Sequence, residues 1–302
     1  SMQYVGKIPQ VVDSQKELFS PSSAMLHDSD SKMLLLREDR KNSLYDMDLE
    51  VGKIVQEYNV SDDKLVDSIS SMRKYGQSTS DPLVMGINQN SIFTLDPRIH
   101  SQNKEVLQYT YKSRPKLRCC AATGNGEVVV ASEKGDIRLY SGIGKRAKTL
   151  LLGLGVPIVS VDVTEDGTWI LCTTERFLLC VPTLMPDNRT GFNIRMGKRK
   201  PVPVKLQLTP QDLINFNILD VKFTPAYFNI GDNIEEEWIV TSTGPLIIIW
   251  NFRMVRKGRI DQYKIRMYSD TIVADQFRFN LDNQVVVALQ DEVYLQTRRK
   301  RL

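Results

Sequence analysis

The stretch from Tyr140 to Gly155, YSGIGKRAKTLLLGLG, combines four glycines with three basic residues, as a phosphate-binding loop would. A P-loop needs the spacing G-x-x-x-x-G-K-[ST], because its backbone N–H groups wrap the phosphates while the lysine and hydroxyl reach phosphate and Mg²⁺. The GK pair that ends at Lys145 fits, but the first glycine position holds Leu139 and the hydroxyl position holds Arg146. A dinucleotide-binding G-x-G-x-x-G fails at Ile158. The sequence therefore does not favour a nucleotide site.

The residues around this stretch favour a turn between strands. Two short apolar runs, Val128–Ala131 and Ile137–Tyr140, are separated by a tight turn that contains Gly135. Gly142 and Gly144 then provide the backbone freedom for the next turn. The pattern predicts an antiparallel meander in which the three basic side chains of the stretch point into solvent.

No other group of residues has the spacing of a catalytic or metal site. The two histidines, His27 and His100, stand in polar contexts and are predicted to be solvent-exposed loop residues. Asp28 and Asp30 resemble the start of a calcium-binding loop, but the position that requires glycine holds Met33. We therefore expect no enzymatic activity, no cofactor and no bound metal.

Basic clusters are the remaining candidates for a binding site. Three of them are predicted loop residues: Lys145, Arg146, Lys148; Lys198, Arg199, Lys200; and Arg256, Lys257, Arg259. A fourth group, 298–301, ends the chain. The middle cluster lies in the longest insertion, residues 183–203, and long loops on a rigid scaffold often bind partners. The simpler interpretation is that these basic residues lie in turns exposed to solvent and bind nothing. Aromatic residues do not interleave with these clusters, which argues against nucleic acid, whereas peripheral membrane contact is compatible with them.

A pattern of three or four strands recurs along the chain with a period of roughly 40–50 residues, which is typical of β-propeller blades. The six units are 32–60, 82–111, 119–152, 158–209, 218–268 and 273–298. The pattern predicts an all-β propeller of six blades, whose last blade takes its fourth strand from residues 3–11, so that strands from both termini close the ring. A seven-bladed ring with one incomplete blade is the alternative. Residues 61–75 are either a weak helix or an irregular first strand.

Composition sets the class of protein. The chain has 302 residues, 41% hydrophobic and 25% charged, with a formal net charge of +4, as expected for an ordinary globular protein. We interpret residues 1–302 as one domain, monomeric and cut from a longer protein. The cysteines, Cys119, Cys120, Cys172 and Cys180, are predicted to be free buried thiols in a reducing, cytoplasmic setting. Cys119 and Cys120 should point to opposite faces of one strand.

Several long segments resemble one protein family. They include LYDMDLEVGKIVQEYNV, VVVASEKGDIRLY, LGVPIVSVDVTEDGTWIL and IVTSTGPLIIIW, in the same order as in the family. The chain resembles, over nearly its whole length, the C-terminal WD40-like domain of the vacuolar import and degradation proteins numbered twenty-seven. The resemblance implies a cytoplasmic propeller that follows an N-terminal region with a PH-like domain, and a link to vacuole-directed turnover of metabolic enzymes. It implies no catalytic residues. The family's C-terminal region begins about one blade earlier than this chain.

Two function hypotheses follow. The first is a non-enzymatic scaffold for protein–protein interactions, connected with vacuole-directed import and degradation of cytosolic proteins. The second is a module that binds anionic surfaces, either phosphoinositide membranes or RNA, through the basic loops. A small-molecule site in the central channel ranks last, because a fold alone defines no chemistry.

Overall fold

The computed structural model describes residues 8, 10–29, 31–60, 65–76, 80–96, 105–230, 235–272, 274–278, 284–288 and 293–297. These residues form an all-β architecture of antiparallel sheets, and in each sheet strands that follow one another in the chain lie side by side. This arrangement confirms the predicted all-β class. No helix among these residues is long and apolar enough to cross a membrane.

The strands group into five four-stranded sheets and one three-stranded sheet. The first sheet contains β1 (Ser23–His27), β2 (Lys32–Leu36), β3 (Ser43–Asp48) and β4 (Lys53–Asn59). The second contains β5 (Ser68–Ser71), β6 (Val84–Ile87), β7 (Ser91–Leu95) and β8 (Glu105–Thr110). The third contains β9 (Leu117–Ala122), β10 (Val128–Ser132), β11 (Ile137–Tyr140) and β12 (Thr149–Leu151).

The remaining sheets complete the series. The fourth contains β13 (Ser160–Val163), β14 (Trp169–Thr173), β15 (Leu178–Pro182) and β16 (Val204–Leu206). The fifth contains β17 (Tyr227–Ile230), β18 (Glu236–Thr243), β19 (Leu246–Asn251) and β20 (Tyr263–Met267). The sixth contains β21 (Ala274–Arg278), β22 (Gln284–Ala288) and β23 (Val293–Thr297). Two short helices, α1 (Pro210–Asn215) and α2 (Phe252–Val255), lie between strands.

The blade count corrects the sequence prediction. Five four-stranded blades are present where six were predicted, because the last sheet has three strands in the described part of the chain. The predicted seven-bladed alternative is likewise not what the described residues show. Most of the segment expected to supply the last strand, residues 3–11, lies outside the described residues.

The first strand of each blade lies at the centre of the ring. β5 packs beside β9, β9 beside β13, and β13 beside β17. The first five sheets stack face to face, and each interface between them buries an apolar cluster. One such cluster joins the third and fourth sheets through Val129, Leu139 and Ile170, and another joins the fourth and fifth through Leu171 and Trp250. Central strands such as β10 are therefore buried on both faces, which explains their continuous runs of valine.

The two adjacent cysteines confirm the predicted alternation. Cys119 packs in the cluster between the third and fourth sheets, and Cys120 packs in the cluster between the second and third. All four cysteines are free and buried, as predicted. Burial raises the pKa of the Cys119 thiol to about 12, so this thiol stays protonated and unreactive at neutral pH.

The glycines of the opening stretch have structural roles. Gly144 has a φ of 79°, in the left-handed region that a turn between β11 and β12 requires. A Cβ built on Gly153 would lie 2.1 Å from the carbonyl carbon of Gly135, so only glycine allows these two backbones to meet. The stretch is a turn and a close backbone crossing, which confirms the interpretation as a meander.

Local assignments were wrong at several places. The sequence missed β1, and it placed the first strand of the fifth sheet at residues 218–224, whereas β17 lies at Tyr227–Ile230. Residues 218–224 instead belong to the connection that follows α1. For segment 61–75, the alternative of an irregular first strand is confirmed, because the segment contains β5, and the alternative of a weak helix is wrong.

A buried ion pair fixes the N-terminal segment onto the first sheet. The Arg37 guanidinium lies 2.8 Å from Asp13 and also stacks over the Phe19 ring, 4.5 Å from its centroid. Burial acts to raise the pKa of Asp13. Hydrogen bonds from the Glu17 and Gln15 backbone and the charge of Arg37 outweigh burial and hold this pKa below its usual value. The pair therefore remains charged at neutral pH.

Candidate functional site: two faces of the propeller

The ring has two faces with different contents. In an antiparallel blade the first-to-second and third-to-fourth turns leave one end, and the second-to-third turn leaves the other end. We call the first end the loop face; its described segments include 28–29, 49–52, 72–76, 80–83, 123–127, 141–148, 164–168, 183–203 and 252–262. We call the other end the connector face; its described segments include 37–42, 88–90, 133–136, 174–177, 244–245 and the sheet-to-sheet connections 111–116, 152–159 and 207–226.

Hydrogen bonds join the loop-face turns of neighbouring blades around the channel. Lys74 donates its backbone N–H to Thr123 at 3.0 Å. Gly124 donates in turn to the carbonyl of Glu165 at 2.9 Å. Glu165 then donates its N–H to the Glu236 carboxylate at 2.6 Å. These contacts show that the turns of the second to fifth sheets meet at the same end of the ring.

A short segment, Met72–Gly76, crosses the mouth of the channel, and we call it the strap. Lys74 on the strap forms an ion pair with Asp162 of β13, whose other oxygen accepts the Phe228 N–H at 2.8 Å. Tyr75 donates its hydroxyl to Glu236 at 3.2 Å. The strap therefore links the second sheet to the fourth and fifth sheets across the channel.

A cleft of about 460 Å³ opens beside the strap, between the first and second sheets. Its lining mixes charges of both signs and includes His27, Arg73, Asp81 and Glu165. The predicted exposure of His27 is wrong, because this residue ends β1 and is buried. Burial lowers the pKa of His27, while the charge of Asp46 acts in the opposite direction. His100 lies outside the described residues.

Two of the predicted basic clusters lie close together. Lys145, Arg146 and Lys148 occupy the turn before β12, and the next residue, Thr149, donates its hydroxyl to the Gly191 carbonyl at 2.8 Å. Gly191 belongs to the long loop 183–203, which carries the second cluster: Lys198, Arg199 and Lys200. The fully buried Phe192 anchors this loop in the core between the third and fourth sheets. Both clusters therefore lie on loops that are anchored to the core.

The third cluster lies on the same face, over the fifth sheet. Arg256, Lys257 and Arg259 follow α2, which is held by the buried Phe252 and Val255. The Arg256 guanidinium stacks 5.2 Å from the Phe252 ring centroid. Asp166 lies in the turn 164–168 of the fourth sheet, and burial acts to raise its pKa. Hydrogen bonds from Thr164 and Thr168 and the charge of Arg256 outweigh burial and hold this pKa below its usual value. The cluster therefore borders the fourth sheet.

All nine predicted basic residues are exposed. Within the described ranges, none of the nine forms an ion pair, although other cations on this face do, such as Arg253 with Glu237 at 2.8 Å and Arg189 with Asp187 at 2.7 Å. The predicted fourth cluster, 298–301, lies outside the described residues. The loop face therefore presents nine exposed cations without an ion pair in the described part of the chain, spread over three consecutive blades.

The connector face pairs more of its charges and exposes aliphatic side chains. Lys116 pairs with Glu133 at 3.2 Å, and Arg176 pairs with Asp220 at 3.4 Å. Two connections that flank the fourth sheet expose four large aliphatic residues: Leu152, Leu154, Ile214 and Leu219. Leu219 is 95% exposed, and Leu154 is 72% exposed. Exposed aliphatic side chains mark a protein-binding surface where they form a contiguous patch.

Sequence reasoning overlooked one basic stretch on the connector face, YTYKSRPKLR from Tyr109 to Arg118. Its two tyrosines precede four cations, and Lys112 and Arg114 have no carboxylate partner among the described residues. Tyr111 is tied into the fold by a 2.6 Å hydroxyl contact with Tyr140 and by Arg138 above its ring. A search for cations at every second position, rather than for consecutive cations, would have found it.

No group of three or more His, Cys, Asp or Glu side chains within the described ranges is placed to hold a metal ion. The arrangement suits binding: aliphatic residues are exposed on both faces of the ring, and the loop face also carries nine exposed cations without an ion pair among the described residues. The blades and the closed central mouth define the class of protein as a WD40-like β-propeller.

Comparison with known proteins identifies the family. The family model of the VID27 C-terminal WD40-like domain matches residues 1–302. Vacuolar import and degradation protein 27 of Schizosaccharomyces pombe is 40% identical over 283 residues, which cover 90% of this chain and 35% of that protein. The Saccharomyces cerevisiae protein of the same name is 33% identical over 312 residues, covering 98% of this chain and 39% of that protein. The chain belongs to this family, and it spans little more than a third of these relatives.

Proposed function

We propose that this propeller is a non-enzymatic platform on which other proteins dock, and that the connector face is the docking surface. The observation that carries the proposal is the exposure of Leu152, Leu154, Ile214 and Leu219 on the two connections that flank the fourth sheet. Burying one leucine or isoleucine side chain fully contributes about 1.5–3 kcal/mol. A partner that covers these residues would gain part of its binding free energy from them.

The charge pattern around these side chains supports the same surface. Arg176 and Asp220 pair with each other beside Leu219, so a partner does not have to leave either charge unpaired. The backbone under the patch is fixed as well, because Phe223 donates its N–H to the Glu175 carbonyl at 2.8 Å. A fixed surface loses little conformational entropy when a partner binds.

The names of the relatives guide the cellular part of the proposal. Both are called vacuolar import and degradation protein 27. In our proposal the docked proteins are cytosolic proteins destined for vacuole-directed degradation, and the domain works as a monomer on the cytoplasmic side. The part of the relatives that this chain does not span would connect the docked protein to the rest of the process.

The test is a pull-down from nuclease-treated native lysate at high salt, with three versions of the chain as bait. The wild-type chain is compared with Leu154→Asp/Leu219→Asp on the connector face. The control is Val55→Asp/Met267→Asp, which changes two exposed side chains on the outer strands β4 and β20, at 54% and 60% exposure. The proposal expects a protein that the wild-type and control chains retain and the connector-face variant loses. Equal retention by all three chains would reject the connector face as the docking surface.

A further inference from the structure

We propose that the loop face binds the surface of an anionic lipid bilayer. The binding surface consists of the three basic clusters at 145–148, 198–200 and 256–259, which we call the basic arc. This inference does not rest on the docking function, since it concerns the opposite face of the ring. It starts from the unpaired positive charge of that face.

The position of the clusters in the fold makes them face one plane. Each cluster follows the third strand of its blade: β11 in the third sheet, β15 in the fourth and β19 in the fifth. Equivalent turns of consecutive blades leave the ring at the same face and lie along its perimeter. A ligand that meets all three must be flat and wide, which is the shape of a bilayer and not that of a peptide in a groove.

The loops of the basic arc are anchored in the core, and their cations are exposed to solvent. Phe192 and Met196 anchor the loop with the middle cluster, and Phe252 and Val255 anchor the third cluster. Within the described residues no carboxylate pairs with any of the nine cations. Anionic lipid headgroups attract cations held near the membrane surface, and each contact adds to the binding.

Exposed aliphatic side chains accompany two of the clusters. Val202 is 83% exposed and stands two residues after Lys200. Ile260 directly follows Arg259 and is 42% exposed. A side chain of this kind next to cations can enter the boundary between headgroups and acyl chains while the cations contact the headgroups.

Other anionic partners fit the basic arc less well. Single-stranded RNA binds through aromatic stacking as well as cations, but the aromatic residues of these loops, Phe192 and Phe252, are buried. An acidic peptide would have to extend from the third blade to the fifth to meet all three clusters, whereas the surface of a bilayer meets them together. RNA and acidic peptides are therefore alternative outcomes of the test.

The test measures co-sedimentation of the 302-residue chain with vesicles of phosphatidylcholine alone, vesicles rich in phosphatidylserine, and vesicles matched in charge with phosphoinositide. We expect binding to both anionic vesicles, no binding to phosphatidylcholine, and loss of binding at high salt. Comparison of the two anionic vesicles shows whether charge alone or the phosphoinositide headgroup is recognised. Binding to neutral vesicles equal to that to anionic ones would overturn the proposal.

Matched charge reversals locate the surface. Lys198→Glu/Arg199→Glu/Lys200→Glu should weaken partition onto phosphatidylserine vesicles at least about a hundredfold, since each cation near the membrane contributes about a factor of five. The control, Lys112→Glu/Arg114→Glu/Lys134→Glu, makes the same change of charge at exposed positions on the connector face. It should retain most of the wild-type binding. Equal losses in the two variants would show that net charge alone binds, which would overturn the proposal.

A competition assay separates the other partners. Polyuridylate or polyglutamate is added to the chain together with phosphatidylserine vesicles. The proposal expects the chain to stay on the vesicles when either polymer carries the same amount of negative charge as the vesicle surface. Transfer of the chain to polyuridylate would assign the basic arc to RNA, and transfer to polyglutamate would assign it to an acidic protein. Either transfer would overturn the proposal.

Discussion

The two faces of the propeller rest on the same core but expose different chemistry. On the connector face Arg176 and Lys116 each meet a carboxylate, and aliphatic side chains such as Leu219 are left in solvent. On the loop face nine cations stand on anchored turns without a described ion-pair partner. The loops, and not the blades, therefore define what each side of the ring can bind.

The strap adds a second difference between the faces. On the loop face, Lys74 and Tyr75 close the channel mouth by reaching Asp162 and Glu236, residues of the fourth and fifth blades. The mouth is thus occupied by the chain itself, and the free charge lies at the perimeter. A partner on the loop face meets the outer turns first.

The largest expected effect comes from removing the anchor of the long basic loop. Phe192→Ala should lower the free energy of unfolding by about 3–5 kcal/mol, because Phe192 is completely buried between two sheets. Chemical denaturation followed by tryptophan fluorescence measures this. Vesicle binding should fall as well, since the loop loses its support, while the connector-face partner stays bound to the folded fraction. An unchanged free energy of unfolding would show that the loop does not depend on this anchor.

The strap predicts the next largest effect. Lys74→Met should cost about 3 kcal/mol of unfolding free energy, because it leaves the mostly buried Asp162 carboxylate without its cation. The double variant Lys74→Met/Asp162→Asn should recover part of that loss, because it removes the unpaired charge. Thermal and chemical unfolding of the single and double variants give the coupling between the two side chains. Additive losses would contradict the assigned ion pair.

The N-terminal ion pair predicts a dependence on pH. The folded pKa of Asp13 is lowered, so its stabilising contribution is present above the pKa of the unfolded chain and is lost as the pH falls through the folded pKa. The unfolding temperature of the wild-type chain should therefore decrease between about pH 5 and pH 2. Asp13→Asn should be less stable at neutral pH and should differ least from the wild type at the acidic end. If the unfolding temperatures of the two chains differed by the same amount across this range, Asp13 would not cause the dependence on pH.

The smallest effect on stability is expected at the docking surface. Leu154→Asp/Leu219→Asp changes two exposed side chains and should alter the free energy of unfolding by no more than about 0.5 kcal/mol. The measurement is chemical denaturation of the variant beside the wild-type chain. A large loss would mean that these leucines support the fold, and the loss of a partner in the pull-down could no longer be assigned to the surface.

Strands that are buried on both faces were predictable from the sequence, whereas loop geometry was not. Val128–Ser132 gave a clear signal because it is a run of β-branched residues, and Gly135 marked the turn that follows it. β1 and β5 were harder to recognise, since SAMLH and SISS contain few large apolar residues. The sequence placed nine cations in loops, but their common face depends on blade connectivity, and the Lys74–Asp162 pair joins residues 88 positions apart.

The sequence pattern also could not predict which residues of the connections are exposed. Leu152, Leu154 and Leu219 look like core residues by composition, and only the packing shows that they are left in solvent. His27 gave the opposite error, since its polar neighbours suggested a loop while the structure buries it at the end of β1.

The difference between the two faces is tested most directly by hydrogen–deuterium exchange of the 302-residue chain with and without phosphatidylserine-rich vesicles. Our account predicts slower exchange at 141–148, 189–200 and 252–260 when vesicles are present, and unchanged exchange at 111–116, 152–159 and 207–226. Protection of the second set, or of neither set, would contradict the assignment of the loop face to the membrane.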